Sequence, residues 1–118
     1  MSVDAFPISL ADEVMLSVLC RNSLTDAEVK LARAAFKDLD PVWSLECCES
    51  CEGDWFLDLS SSRPSGRFDS FIIHARDAAI HVFAMAEDNH VPLGCFADME
   101  QAAHAALAAI AAIAANPA

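Results

Sequence analysis

The segment CCESCEGD, residues 47–54, contains three of the five cysteines of the chain and is the stretch best suited to chemistry. Cys48 and Cys51 have the spacing C-x-x-C, and Gly53 follows two residues later. This pattern is typical of one half of a zinc knuckle, in which two thiolates converge on the ion and the glycine permits a tight backbone turn. A structural zinc site needs four ligands, and the sequence has no second C-x-x-C pair.

The missing ligands would come from a second copy of the chain or from other imidazole and thiol groups. A two-residue turn at Asp77 and Ala78 would place His74 directly opposite His81 across an antiparallel strand pair. Neutral imidazoles side by side bind transition metals, and without a metal their mutual repulsion lowers their pKa values. The metal hypothesis therefore takes zinc as the ion. Its ligands would be Cys48, Cys51, His74 and His81, with Cys47, His90 and His104 as further candidates.

A simpler interpretation of the same residues needs no metal. The segment is then an acidic hairpin tip whose thiols have no ligand role, and the two histidines fill space beside each other. Carboxylates such as Glu49 and Glu52 raise the pKa of nearby thiols and so disfavour disulfide exchange. A redox role is also disfavoured because a catalytic C-x-x-C pair belongs at a helix N-terminus, and this pair lies between two expected strands.

Linear motifs of common enzyme classes do not occur in the sequence. The three glycines, Gly53, Gly66 and Gly94, lie too far apart for a phosphate-binding loop. Neither the H-E-x-x-H motif of metalloproteases nor the G-x-S-x-G motif of hydrolases is present. We therefore assign no catalytic residue, although a pocket between helices and a sheet needs no linear motif.

Length and charge limit the function classes further. A chain of 118 residues with 55% hydrophobic content fits one domain, residues 1–118, with a core of its own. The net charge is −11, and the 7 basic residues are scattered along the chain, which disfavours nucleic acid and anionic membranes as partners. An odd number of cysteines favours reduced thiols. The acidic N-terminal segment does not resemble a signal peptide, so we expect a cytoplasmic protein.

Two amphipathic helices are predicted before the strands, over about residues 10–20 and 26–38. The second has the clearer start signal, since Thr25 and Glu28 form a capping box and Leu24 and Val29 are placed for a hydrophobic staple. Pro41 prevents the helix from continuing.

After Pro41, apolar and polar residues alternate with a period of two, which predicts a hairpin of two half-buried strands. The expected register pairs Trp43 with Leu59 and Cys47 with Trp55, which directs both tryptophans to the core. This register leaves residues 49–53 as a loop and turns Cys48 away from the core. Cys20 and Cys95 lie in apolar surroundings, where we expect small buried side chains.

The next two strands, FDSFIIHA and AIHVFAMA, are apolar on both faces, which predicts the middle of a sheet. A fifth strand, residues 91–96, would lie at an edge because of Pro92. An alanine-rich helix capped by Asp98 completes the chain and ends near Asn116. Its expected seam against the sheet consists of Ala103, Leu107, Ile110 and Ala114. The remaining apolar surface of this helix predicts a homodimer.

The predicted fold is thus an α+β two-layer sandwich with two N-terminal helices, an antiparallel meander of four to five strands and a C-terminal helix. Another arrangement would cover the opposite sheet face, which carries Phe56, Ile72 and Phe83, with a partner molecule. The predicted function is that of an adaptor or chaperone-like module, which binds a basic protein partner as a homodimer. Metal binding or metal sensing through Cys48, Cys51 and histidines is the alternative.

Overall fold

The computed structural model of this chain describes residues 21–62, 68–86 and 89–115. Within them the elements are α1 (Asp26–Phe36), β1 (Trp43–Glu49), β2 (Trp55–Ser61), β3 (Ser70–Arg76), β4 (Ala79–Ala86), β5 (Asn89–Phe96) and α2 (Met99–Ala115). The strands form one antiparallel sheet in the order β1-β2-β3-β4-β5. The expected α+β class with an antiparallel meander is confirmed. The predicted helix over residues 10–20 and Cys20 lie outside the described residues.

The start of α1 follows the predicted capping box. The Glu28 backbone N–H donates to Thr25 Oγ1 at 3.1 Å, and the Thr25 N–H donates to Glu28 Oε1 at 2.9 Å. Leu24 and Val29 are both buried, as the staple requires. The helix ends at Phe36, two residues earlier than predicted, and the Leu39 N–H donates to the Phe36 carbonyl at 3.2 Å in the turn that follows.

The segment before α1 is attached to the sheet as well as to the helix. Arg21 donates two hydrogen bonds of 2.8 Å to the two carboxylate oxygens of Glu28. Burial raises the pKa of Glu28, but hydrogen bonds from Arg21 and from the Thr25 backbone outweigh this effect and hold the pKa below its ordinary value. The Leu24 N–H donates to the Trp55 carbonyl at 3.1 Å, and the Trp55 N–H donates to Ser23 Oγ at 2.9 Å. The start of β2 therefore pairs with this segment.

The β1–β2 hairpin has the predicted faces and a different register. Trp43 lies opposite Ser61, and Glu49 lies opposite Trp55, so the pairing is shifted by two residues from the expected one. The turn occupies residues 50–54 because Ser50 organises it. The Ser50 N–H donates to the Asp54 carbonyl at 2.8 Å, and the Ser50 hydroxyl accepts from the Asp54 N–H at 3.1 Å. A shift of two keeps every side chain on its predicted face.

The expectation that both tryptophans point into the core is wrong for Trp55. Trp43 is half-buried and lies against Phe71 with ring centroids 5.7 Å apart, whereas Trp55 is 41% exposed. Trp55 is at the turn end of β2, opposite the exposed Glu49. Cys47 shares its predicted face and is also exposed, so the core ends before it reaches the hairpin tip.

The β3–β4 hairpin matches the predicted register. His74 lies opposite His81 and Ile72 lies opposite Phe83. Asp77 in the turn has a φ of 55°, the left-handed conformation that aspartate tolerates better than most residues. β5 is an edge strand that contains Pro92, as predicted, and its pairing with β4 shifts register between Val82 and Phe83.

The core lies between the two helices and one face of the sheet. The fully buried side chains of β2, β3 and β4 include Leu57, Leu59, Phe71, Ile73, Ile80 and Val82. They alternate with half-buried residues on the other face. The helix α2 begins where the Asp98 carboxylate accepts from the Gln101 N–H at 2.9 Å, as the predicted cap requires.

The predicted seam of α2 is partly wrong. Ala103 and Ile110 are buried as expected, Leu107 is half-buried, and Ala114 is exposed. The seam also includes Met99, Ala102 and Ala106. Alanines at these positions allow α2 to lie close to both α1 and the sheet, so α2 buries one side as far as Ile110, and Ala114 and Ala115 beyond it are exposed.

Two phenylalanines on opposite faces of the sheet test this placement of the core. Phe71→Ala removes a fully buried ring and should lower the free energy of unfolding by about 3–5 kcal/mol. Phe83→Ala should lower it by less, since the Phe83 ring is half-buried on the other face. Urea denaturation of both variants gives the comparison, and an equal loss for the two would contradict the one-sided core.

Candidate outer-face binding site

The sheet face opposite α1 and α2, called the outer face here, brings together most of the residues that the sequence singled out. Its apolar and aromatic side chains are Phe56, Ile72, Phe83 and Met85, and all are half-buried. The register pairs Cys48 with Phe56 across β1 and β2, and it places His74, His81 and Cys95 in a row across β3, β4 and β5. The β2–β3 pairing ends at Leu57 and Ile73, one residue short of joining these two sets.

His74 is at the centre of a stack of three rings. Its centroid lies 5.3 Å from that of His81 and 5.4 Å from that of Phe83, with interplanar angles of 13° and 4°. Burial lowers the pKa of His74, a backbone hydrogen bond at Ala75 opposes this effect, and the positive charges of His81 and Arg76 lower the pKa further. The stack therefore favours neutral His74 and gives the outer face an aromatic surface.

The expectation that Cys95 is a small buried side chain is wrong. Cys95 is exposed, and its Sγ lies 3.9 Å from Nε2 of His81. Cys95 in β5 reaches this position because it lies directly opposite His81 in β4. This pair and the neighbouring pair of Val82 with Gly94 lie on the same side of the register shift. The sequence predicts the strand and not its pairing with β4, so it does not identify His81 as the neighbour of Cys95.

The four proposed zinc ligands are only partly brought together. His74 and His81 are neighbours, but strand β2 lies between Cys48 in β1 and His74 in β3. Adjacent strands are about 4.8 Å apart, so the backbones of Cys48 and His74 are roughly 10 Å apart. Cys51 lies in the turn beyond β1 and is exposed. Within the described residues, no three His, Cys, Asp or Glu side chains form a group that could hold a metal ion.

The environment of Cys48 disfavours a thiolate. Burial raises the pKa of the Cys48 thiol, and the charges of Asp58, Glu46 and Cys47 raise it further. Its Sγ donates a weak hydrogen bond to the Glu46 carbonyl at 3.9 Å. Cys48 therefore remains a neutral thiol over the physiological pH range, and a metal at this position would have to displace a proton.

Two acidic residues are paired across β1 and β2 on the outer face. Glu46 in β1 lies directly opposite Asp58 in β2, and the Ser60 hydroxyl donates to the Asp58 carboxylate. Like charges directly opposite each other destabilise a sheet. The predicted register pairs Glu46 with Phe56, so this acidic pair appears only with the observed shift of two residues.

An open depression lies at the turn end of the outer face. It has a volume of about 480 Å³. Its lining comprises Asn22, Ser50, Glu52, Asp54, Trp55, Phe56, Ile72, His74, Ala75 and Arg76. The depression exists because the segment at Ser23 and Leu24, and not β3, pairs with Trp55. Three of its lining residues also belong to the aromatic outer face, so the depression and that face form one continuous surface.

Comparison with protein-family models, with curated proteins and with solved structures gives no match to this chain. Neither α1 nor α2, the helices in the described part of the chain, is long and apolar enough to cross a membrane.

The lowered pKa of His74 predicts how stability changes with pH. Between the folded-state pKa and the ordinary value of 6.5, the unfolded chain binds more protons at this site than the folded chain does. The free energy of unfolding should therefore fall as the pH is lowered through this window, and the contribution of His74 should be constant above it.

Urea denaturation over a pH series measures this effect, and an NMR titration of the His74 ring locates the pKa. The variant His74→Phe keeps an aromatic ring in the stack and has no proton to bind, so its stability should fall less on acidification than that of the wild type. A His74 ring that titrates at or above 6.5 would contradict the assigned environment.

Proposed function

We propose that this chain is a cytoplasmic protein-binding module that acts as a homodimer and binds a basic, partly apolar polypeptide on the outer face of its sheet. The observation that carries the proposal is the apolar outer face, which neither of the described helices covers. Ile72, Phe83 and Met85 offer contact area there at the centre of a rigid five-stranded sheet. Apolar patches with polar rims are typical of protein interaction sites.

Charge supports a basic occupant. The chain has a net charge of −11, and carboxylates border the aromatic surface on its β1 side and at the hairpin tip. These acids are Glu46, Glu52, Asp54 and Asp58. Such a rim accelerates association with cationic segments and disfavours acidic ones. The aromatic stack adds a surface on which arginine or lysine side chains bind favourably.

The homodimer is supported by the exposed side of α2. Ala108, Ala111 and Ala112 are exposed there, and Leu31 of α1 is 42% exposed nearby on the helical layer. Together with Leu107 and His104, Leu31 lines an open groove of about 410 Å³ between the helices. Alanine side chains permit close contact with a second helix, so this layer suits a second copy while the outer face stays free for the partner.

A random-peptide display library tests the proposed binding surface. Selection on the wild-type protein should enrich peptides that contain both basic and apolar residues. Their affinity should fall at least tenfold, or about 1.4 kcal/mol, in Phe83→Ala, because this variant removes an aromatic ring from the middle of the outer face. The affinity should also decrease with added salt.

The matched control is Val91→Ala, which removes another exposed apolar side chain from the helical side of the sheet, where Val91 pairs with the buried Ala84. This variant should keep the wild-type affinity for the peptides. Enriched peptides without basic residues, or equal losses in Phe83→Ala and Val91→Ala, would argue against the outer face. Light scattering should give twice the chain mass of 12.7 kDa, and a monomer would remove the homodimer from the proposal.

Metal binding is the second candidate function, and one observation favours it. The 3.9 Å separation of His81 Nε2 and Cys95 Sγ is close to the roughly 3.6 Å between two ligands of a tetrahedral zinc ion. His74 is the nearest source of a third ligand, although its stacked ring would have to rotate before its nitrogen faced the same ion. The hairpin cysteines, Cys48 and Cys51, would then need a second copy of the chain to complete a site.

Zinc titration by calorimetry separates these ligand sets. If the metal function is correct, zinc binds stoichiometrically and the variant Cys95→Ser weakens the binding at least tenfold. Cys51→Ser serves as the comparison, since a loss confined to this variant would assign the ion to the hairpin cysteines. Absence of stoichiometric binding by the wild type would exclude the metal function.

A further inference from the structure

We propose that the edge of β1 beside which no described strand lies binds an extended, basic polypeptide segment as an additional strand of the sheet. This inference depends on the proposed function and assigns its basic partner a second contact, at the sheet edge that adjoins the outer face. In strand addition, the backbone supplies the hydrogen bonds and alternate side chains supply specificity.

Two hydrogen bonds define which backbone groups of β1 face β2. The Ser50 N–H donates to the Asp54 carbonyl at 2.8 Å, and the Ser62 N–H donates to the Val42 carbonyl at 2.8 Å. Both pairs continue the β1–β2 register. Hydrogen-bonded pairs alternate along an antiparallel ladder, so the even-numbered residues of β1 bond to β2. The odd-numbered residues direct their N–H and C=O groups away from β2.

The outward groups of β1 form a row that a further strand would use. The Trp43 N–H is already bonded to the Asp40 carbonyl at 2.9 Å. The groups of Leu45, Cys47 and Glu49 remain, and no described strand lies beside them. β1 contains neither a proline nor a bulge, the devices that commonly block such an edge.

The opposite edge of the sheet is protected against strand addition. β5 contains Pro92, which has no N–H to donate, and its ladder shifts register at Val82 and Phe83. Gly94 lies next to this shift with a φ of 154°. A bulge and a proline both disturb the regular row of backbone groups that a new strand would need. Of the two edges in the described sheet, β1 alone is regular.

Charge complementarity decides which occupant fits β1. Glu46 is in the edge strand and directly opposite Asp58, and like charges opposite each other are unfavourable in a sheet, so this pair favours a cation beside it. A residue of the added strand opposite Glu46 would lie on the outer face, in a pair without backbone hydrogen bonds, where Cα atoms are only about 4.5 Å apart. Lysine or arginine at this position would lie next to both carboxylates.

The neighbouring positions of the added strand would face the other way. Residues opposite Leu45 and Cys47 point toward the helical side of the sheet, where Leu45 is half-buried. Apolar side chains there would extend the core past its present end at β1. The occupant is therefore an extended segment in which basic and apolar residues alternate. A second copy of β1 fits less well, because it would add its own Glu46 and Glu49 to an edge that is already acidic.

Amide hydrogen exchange with NMR detection tests the geometry without any variant. In the free protein, the amides of Leu45 and Cys47 should exchange faster than those of Ser44, Glu46 and Cys48, which bond to β2. A peptide of alternating lysine and valine should slow the exchange of Leu45 and Cys47. The same peptide with glutamate in place of lysine should leave it unchanged.

A matched pair of variants at Cys47 tests the contribution of the outward amide. Cys47→Pro removes the outward N–H and breaks no hydrogen bond to β2, whereas Cys47→Ala keeps this N–H and changes only the exposed side chain. The lysine–valine peptide should bind Cys47→Ala like the wild type and bind Cys47→Pro at least tenfold more weakly. Circular dichroism checks that both variants fold, and the exchange measurement gives the answer if Cys47→Pro does not.

The outcomes separate this inference from the proposed function. Binding that Phe83→Ala weakens and Cys47→Pro leaves unchanged would overturn strand addition and retain the outer face. Binding of the glutamate peptide equal to that of the lysine peptide, or absence of binding of the lysine peptide, would overturn strand addition through charge. Self-association of the wild type that disappears in Cys47→Pro would also overturn it, since β1 would then bind a second copy.

Discussion

The burial of one face of a five-stranded sheet is the constraint on which the rest of this structure depends. Leu57, Phe71 and Val82 are completely buried under the helices, and every second residue between the buried ones must then face the other way. The outer face follows from this alternation. Its histidines, aromatic rings and thiols share one face because the strands pair in this register, and not because they are close in sequence.

At the tip of the β1–β2 hairpin the core-facing side chains are exposed, and hydrogen bonds at the start of β2 explain why. Ser23 and Leu24 bind the backbone of Trp55, and Arg21 holds the same segment against α1 through Glu28. These contacts take the place of β3 beside the start of β2. The sheet is therefore wide in its middle and narrow at the tip. Trp55 stays partly exposed, and the open depression forms beside the outer face.

Much of the fold could be predicted because local signals determine it. The capping box at Thr25 and the two-residue turn at Asp77 each allow one geometry, so the start of α1 and the pairing of His74 with His81 were both correct. The hairpin at Ser50 was different. A longer turn can shift the register by two residues without moving any side chain to the other face, so hydrophobic alternation does not distinguish the two pairings.

Features of the outer face that depend on long-range pairing were harder to predict. The neighbours Glu46 and Asp58 follow from the true register of β1, and the contact of Cys95 with His81 follows from the register shift in β5. The exposure of Ala114 depends on where α2 passes beyond α1 and the sheet. None of these has a local sequence signal. The acidic pair and the open edge were therefore recognised only from the structure.

The central claim is that the outer face is open to solvent in the free protein and becomes covered when a partner binds. A soluble paramagnetic agent measures this directly through the NMR methyl signals of Ile72 and Ile73, neighbours on β3 that face opposite ways. The account predicts strong broadening of Ile72, little broadening of Ile73, and protection of Ile72 when a basic peptide is added. Equal protection of both methyl groups in the free protein would contradict it, since the outer face would then already be covered.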